Sequence, residues 1–273
     1  MILNFINWNV NPEIFSIPED IWLVGGLTVR WYGLLFAASF FVGYYIMAKI
    51  FKKEGVGEKV LEKLTIYMAL GTILGARIGH CLFYQPDYYL DHPLEILMVW
   101  KGGLASHGAA IGILLAVYIF SKKEKKTFLW VMDRIVVIVA LSGLFIRTGN
   151  LMNSEIVGTV TDKPWGFIFT REIHYLGNAP RHPSQAYEAL SYFIIFLVLY
   201  FLYFKKGSGE KPGFLFGIFL ISIFTMRFII EFIKDIQVDF ESDMVLNMGQ
   251  ILSIPFILLG VFLLFRALKK SEN

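Results

Sequence analysis

The chain of 273 residues is 56% hydrophobic and only 17% charged, with a mean hydropathy of +0.60, which excludes an ordinary soluble globule and indicates a polytopic membrane protein. The net charge of +3 is uninformative by itself, and one cysteine, Cys81, rules out a disulfide framework and a cysteine-based metal site. Residues Met1 to Asn11 lack a basic n-region, so no cleaved signal peptide is expected.

Crossing the hydrocarbon core takes about 20 apolar residues. Segments of that kind lie at 28–50, 64–84, 103–121, 128–148, 185–204, 213–233 and 247–268, which predicts an all-α membrane domain over 1–273 with seven transmembrane helices. Lys49, Lys52, Lys53, Lys59 and Lys63 surround the first connection, and Lys122, Lys123, Lys125 and Lys126 the third. Lys205, Lys206 and Lys211 follow the fifth span, and Arg266, Lys269 and Lys270 the seventh. All four clusters fall on one side, which the positive-inside rule makes cytoplasmic, so the N-terminus is predicted outside and the C-terminus inside. Asp87, Asp91, Glu95, Asp235, Asp239, Glu241 and Asp243 lie on the other side. So does the segment 150–183, read as a small external cap of short strands or turns between the fourth and fifth helices.

Gly71, Gly75 and Gly79 recur every four residues, as do Gly108 and Gly112, and Gly213 and Gly217, a spacing that lets helix backbones approach closely in lipid. Pro255 is expected to kink the last span. Trp31, Trp100 and Trp165 fit an interfacial belt. Asp133 and Arg134, near the cytoplasmic end of the fourth span, fit a solvated pair.

The predicted topology gathers polar residues at one level, toward the outer leaflet. Tyr32 belongs to the first span, Arg77 and Tyr84 to the second, His107 to the third, and Arg147 and Asn150 end the fourth. Ser184, Gln185 and Glu188 open the fifth, Arg227 and Glu231 lie late in the sixth, and Asn247 and Gln250 start the seventh. At a rise of about 1.5 Å per residue, Arg77 and Arg227 sit roughly 10 Å below the outer boundary. Charged groups at such depth mark functional sites by default. Arg227 and Glu231, four apart, also fit a local ion pair, Arg77 also fits outward snorkelling, and Tyr32 and Tyr84 also fit interfacial anchors.

Guanidinium groups match phosphate through planar, paired hydrogen bonds and stay charged. Several of them opening toward the outer leaflet point to an anionic lipid headgroup. His107, flanked by Gly102, Gly103 and Gly108, is a candidate base that a substrate can approach closely. No two histidines show HxxxH spacing, so no zinc site is expected. The rival reading is a transporter of anionic substrates, but no repeat relates the two halves and the polar level is off-centre.

These residues fall in motifs that resemble the prolipoprotein diacylglyceryl transferase family over nearly the whole chain. Its signature appears as Arg147, Gly149-Asn150, Asn153, Glu155 and Gly158, with Ile146 and Leu151 departing from the common pattern. Arg30-Trp31-Tyr32-Gly33, Gly102-Gly103-Leu104-Ala105-Ser106-His107-Gly108 and Arg181-His182-Pro183-Ser184-Gln185 also match. So do Arg227-Phe228-Ile229-Ile230-Glu231-Phe232 and the run from Met248 to Pro255, although Ile223 stands where some members carry tyrosine. The resemblance implies transfer of a diacylglyceryl group from phosphatidylglycerol to the lipobox cysteine of a prolipoprotein, in the bacterial cytoplasmic membrane, forming a thioether and glycerol phosphate. It implies His107 as base, with Arg147 and Arg227 at the phosphate. Asn150 and Glu155 would orient Arg147 or the headgroup, Tyr32 would line the lipid pocket, and Tyr84, Arg77, Asn153, Glu231 and Gln250 would contribute to phosphatidylglycerol binding. Membrane lipids and lipobox peptides are the expected partners. No cofactor, metal or nucleic acid is expected.

Overall fold

A computed structural model describes residues 5–18, 26, 28–99, 102–171, 179–235, 241 and 244–269. Of the residues singled out from sequence, Trp100, Asp239, Asp243 and Lys270 lie outside the described residues, as do 172–178 of the predicted cap. The chain divides into two compact units, Tyr44–Arg134 and the combination of Met1–Gly43 with Ile135–Asn273.

The long helices are α1 (Trp31–Lys53), α2 (Glu58–Phe83), α4 (Ser106–Lys123), α5 (Phe128–Met152), α6 (Ser184–Lys206), α7 (Phe214–Ile230) and α8 (Met248–Lys269), with a short α3 (Pro86–Asp91). Among the described residues, six helices are long and apolar enough to cross a membrane: α1, α2, α5, α6, α7 extended to Ile233, and α8. The remaining predicted span, the third at 103–121, is α4, and it is not among the six. It has only 18 residues, and Ser106, His107, Lys122 and Lys123 all fall within them, so its apolar stretch is shorter than its neighbours'. Helices α1, α4, α6 and α8 each carry basic residues in the last turn, where they also complement the helix dipole.

In the Tyr44–Arg134 unit, α2 and α4 meet backbone to backbone. A Cβ placed on Gly75 would lie 2.5 Å from the Gly108 carbonyl oxygen, and one on Gly79 would lie 2.7 Å from the Gly108 Cα. One on Gly112 would strike the Gly71 carbonyl oxygen. The four-residue glycine spacing is therefore a packing seam, as its periodicity predicts. Gly108→Ala should force the helices apart and cost about 1–3 kcal/mol, read as a lower unfolding midpoint in detergent; an unchanged midpoint would refute the seam.

Asp133 and Arg134 correct a sequence expectation. Neither is solvated: Asp133 is fully buried, and Arg134 donates Nε to both Glu54 carboxylate oxygens at 3.0 and 3.1 Å while lying 4.2 Å over the Trp130 ring. Glu54, just past the end of α1, covers this end of α5 and replaces water as the partner.

In the other unit, α7 packs on α6 and α8. Gly217 faces Gly260, where either Cβ would lie 2.9 Å from the other's carbonyl oxygen. Gly213 is not part of that seam. It caps α7 with φ 90°, a left-handed conformation that glycine adopts without a Cβ penalty. Helix α8 continues through Pro255.

Short strands lie outside the helices. β1 (Ile6–Trp8) runs parallel to β4 (Phe167–Phe169), and β2 (Glu13–Ser16) pairs antiparallel with β3 (Thr28–Arg30). Trp8 also donates its indole N–H to the Leu151 carbonyl at 3.0 Å, which ties the first strand to the end of α5. Isolated bridges join Gly158 to Lys234 and Val160 to Arg181.

Candidate functional site

The signature segment is built around the C-terminal end of α5. Arg147 and Asn150 are three apart on one helix face, and Arg147 Nη1 donates to Asn150 Oδ1 at 3.2 Å. Gly149 faces the first turn of α1, where a Cβ would lie 2.8 Å from the Tyr32 ring, so only glycine lets that ring lie against α5. Beyond Met152 the chain turns sharply. Ser154 and Ile156 have φ of 56° and 60°, and left-handed backbone at a β-branched residue is unfavourable by about 1–3 kcal/mol.

Side chains hold that turn from both flanks. Asn150 Nδ2 and Asn153 Nδ2 donate to the same Glu155 oxygen at 2.8 and 3.2 Å. From the start of α6, Gln185 donates to the Glu155 carbonyl and Ser184 to the Ile156 carbonyl, the latter at 2.7 Å. Non-helical carbonyls beside a membrane need such donors.

One turn into α6, Glu188 is 1% exposed and lies between two cations. Its Oε2 is 2.8 Å from Arg147 Nε, and its Oε1 is 3.2 Å from Lys234 Nζ. Lys234 Nζ also reaches Glu231 Oε1 at 3.1 Å, and Glu231 Oε1 lies 3.6 Å from Arg227 Nε. The result is a chain of alternating charge, Arg147–Glu188–Lys234–Glu231–Arg227, spanning the end of α5, the start of α6 and the end of α7. Arg227 closes it most loosely, with the longest contact and a side chain 36% exposed, so it is the chain's most accessible cation. Neither Glu188 oxygen has a partner in hydrogen-bond geometry, so charge rather than aligned N–H bonds holds this carboxylate.

Close backbone approach permits these contacts. A Cβ on Gly158 would lie 2.5 Å from the Ile233 carbonyl oxygen and 2.7 Å from the His182 Cβ. The bare backbone instead bonds both neighbours, Gly158 N–H to the His182 carbonyl at 2.8 Å and Thr159 N–H to the Ile233 carbonyl at 2.9 Å. Arg181 reinforces the join by binding Asp235 at 2.7 Å and the Gly158 carbonyl at 3.1 Å. Gly249 gives the Glu231 carboxyl its room, since a Cβ there would sit 2.5 Å from the carboxyl carbon.

Gln250 has a local task. Its backbone N–H donates to Asn247 Oδ1 at 2.9 Å, and its Oε1 accepts the Asn247 N–H at 3.1 Å, a reciprocal capping box on α8. Asn247 Nδ2 reaches Glu231 Oε2 at 3.3 Å, so the cap also touches the charge chain. Outside the spans, burial pushes the His182 imidazole below its usual range, and the Lys163 charge acts in the same direction. Its Nδ1 lies 3.1 Å from the Tyr187 hydroxyl, which accepts the Trp165 indole N–H at 3.0 Å.

Of the predicted site residues, Tyr32, Arg147, Asn150, Asn153, Glu155, Arg227, Glu231 and Gln250 thus belong to one unit, and the ionic chain and its amide partners link most of them. Arg77, Tyr84 and His107 belong to the Tyr44–Arg134 unit. There His107 is exposed at the second position of α4, and Tyr84 ends α2, exposed and stacked on His80 at 5.5 Å. Arg77 is 2% exposed and donates to the backbone carbonyls of Glu95, Ile96, Gly102 and Gly103, with its guanidinium 4.9 Å over the Tyr89 ring.

Lys234 escapes the sequence reading, although one signal marks it: a lysine among acidic residues on the side predicted to be external. Glu188 is legible only as one polar group among several at that level.

Membrane-spanning helices and a buried ionic chain at the ends of α5, α6 and α7 define a multi-pass membrane protein with a charged site among its helix ends. The family model for prolipoprotein diacylglyceryl transferase matches residues 19–266, and the chain belongs to that family. It is 46% identical over 270 residues to the phosphatidylglycerol–prolipoprotein diacylglyceryl transferase of Chloroherpeton thalassium, covering 98% of this chain and 97% of the relative. The enzyme of that name from Tolumonas auensis is 45% identical over 97% of this chain and 99% of its own length. The one from Bacteroides fragilis is 43% identical over 99% and 98%.

Proposed function

We propose that the chain transfers the diacylglyceryl group of phosphatidylglycerol to the lipobox cysteine thiol of prolipoproteins, in the bacterial cytoplasmic membrane and toward its outer leaflet. The observation that carries this reading is the ionic chain whose two ends are the signature Arg147 and the accessible Arg227. The lysine clusters support a cytoplasmic C-terminus and an external 150–183 segment.

The substrate thiolate attacks the glyceryl carbon that bears the phosphate ester. A C–S bond forms, the C–O bond breaks, and glycerol phosphate leaves with the bonding electrons. The phosphate thereby goes from a singly charged diester to a monoester with a second developing charge. Arg147 and Arg227 offset that charge, most strongly where water is excluded. Asn150 and Glu155 keep Arg147 in place, while Tyr32 lines the lipid side. Arg77 acts on the loop that precedes α4, because its donors are committed to main-chain carbonyls.

A free thiol has a pKa near 8.5, so a base is needed near neutral pH, and His107 is assigned that role. Purified protein, phosphatidylglycerol and a lipobox peptide should yield a peptide heavier by one diacylglyceryl group in mass spectrometry; lipid movement without that product would favour a transporter. His107→Gln should slow the reaction roughly 10²-fold or more at pH 7, with recovery as pH approaches the thiol's own pKa. Near-normal turnover of the variant at pH 7 would remove His107 as the base.

A further inference from the structure

Glu188 has no part in the chemistry just described, yet it is the most deeply buried charge in the ionic chain. A carboxylate at that depth persists only with partners, and its partners come from distant parts of the sequence: Arg147 on α5 and Lys234 beyond α7. Each carboxylate oxygen serves one cation. The Arg147 guanidinium is held at two points, by the Glu188 charge beside Nε and by the hydrogen bond from Nη1 to Asn150, which keeps it at this end of α5. Through Lys234 and Glu231 the same carboxylate connects to Arg227.

We infer that Glu188 is a positioning residue for the transfer: it aims Arg147 at the substrate phosphate and couples Arg147 to Arg227, so that both guanidinium groups act on one anion. The inference rests on the reading that this phosphate lies at Arg147 and Arg227. The glutamine variant keeps the shape but loses the charge, which frees the arginine to rotate. Misplacement of a clamping group by about 1 Å can cost 10²-fold in rate.

The test is steady-state transfer to a lipobox peptide in detergent–phosphatidylglycerol micelles, with kcat, KM and the unfolding midpoint measured together. Wild-type product formation secures the reaction itself, and its absence would sink the proposed function rather than this inference. Given wild-type activity, Glu188→Gln should lower kcat about 10- to 100-fold with KM for phosphatidylglycerol changed less than kcat. Glu188→Asp should recover part of the loss by restoring the charge. Glu188→Gln combined with Lys234→Met should stay as slow as Glu188→Gln alone, because balancing the charge does not re-aim Arg147. Recovery in that double variant, or a Glu188→Gln protein that loses only folded yield and keeps kcat per folded molecule, would overturn the inference.

Discussion

Arg147→Lys should reduce transfer by roughly 10²- to 10³-fold while leaving the protein folded, since loss of one well-aimed donor to a developing oxyanion has that size. Lysine retains the positive charge that the buried Glu188 requires. It cannot bind Glu188 and Asn150 while presenting a flat fork to phosphate, because its ammonium is a point charge on a flexible stem. Arg147→Ala is the poorer experiment. It leaves Glu188 with only Lys234, and removing one partner of a buried pair costs about 3–5 kcal/mol, so lost activity would mix with lost fold. Mass-spectrometric product yield and the unfolding midpoint separate the two. Lysine activity within a few-fold of wild type would show that charge alone suffices and that the planar geometry is irrelevant.

Gly158→Ala should be nearly as damaging, although one methyl group is added to a residue that touches no substrate. That methyl would meet the Ile233 carbonyl oxygen and the His182 Cβ at once, and both belong to elements bonded to this backbone. Overpacking of this kind costs about 1–3 kcal/mol. The larger effect is on geometry, because the segment that yields carries Lys234, the link between Glu188 and Glu231. A fall in kcat of about 10²-fold with a modest drop in the unfolding midpoint is expected. If the alanine variant turns over normally, this glycine is not what lets the segment approach.

The parts of this molecule that were legible in the sequence depend on local periodicity. Apolar runs locate the long helices, and glycines four apart locate the α2–α4 seam, since a bare stripe on each helix has only one economical use in lipid. Gly213 shows the limit: it shares the spacing but is a left-handed cap. Gln250 shows another, because the Asn247-to-Gln250 spacing of a capping box was available to be read and depth in the membrane drew attention instead. What no local pattern carries is partnership. Arg147 and Glu188 are 41 residues apart and Glu188 and Lys234 are 46 apart, and only the folded chain reveals that one carboxylate serves both cations. The pairing of β1 with β4 is equally remote, joining Ile6 to Phe167. Arg134 departs from its expected solvated pairing with Asp133 for the related reason that its partner, Glu54, lies on a different helix connection.

Arg77 gathers four main-chain oxygens from two separate stretches, Glu95–Ile96 and Gly102–Gly103, onto a single side chain. Nε and Nη2 serve the first stretch and Nη1 the second, so displacing this one side chain releases both stretches together. The crossing between α2 and α4 therefore holds or gives way as a piece, like a knot with one draw-string, and the start of the helix that bears His107 inherits that all-or-nothing stiffness.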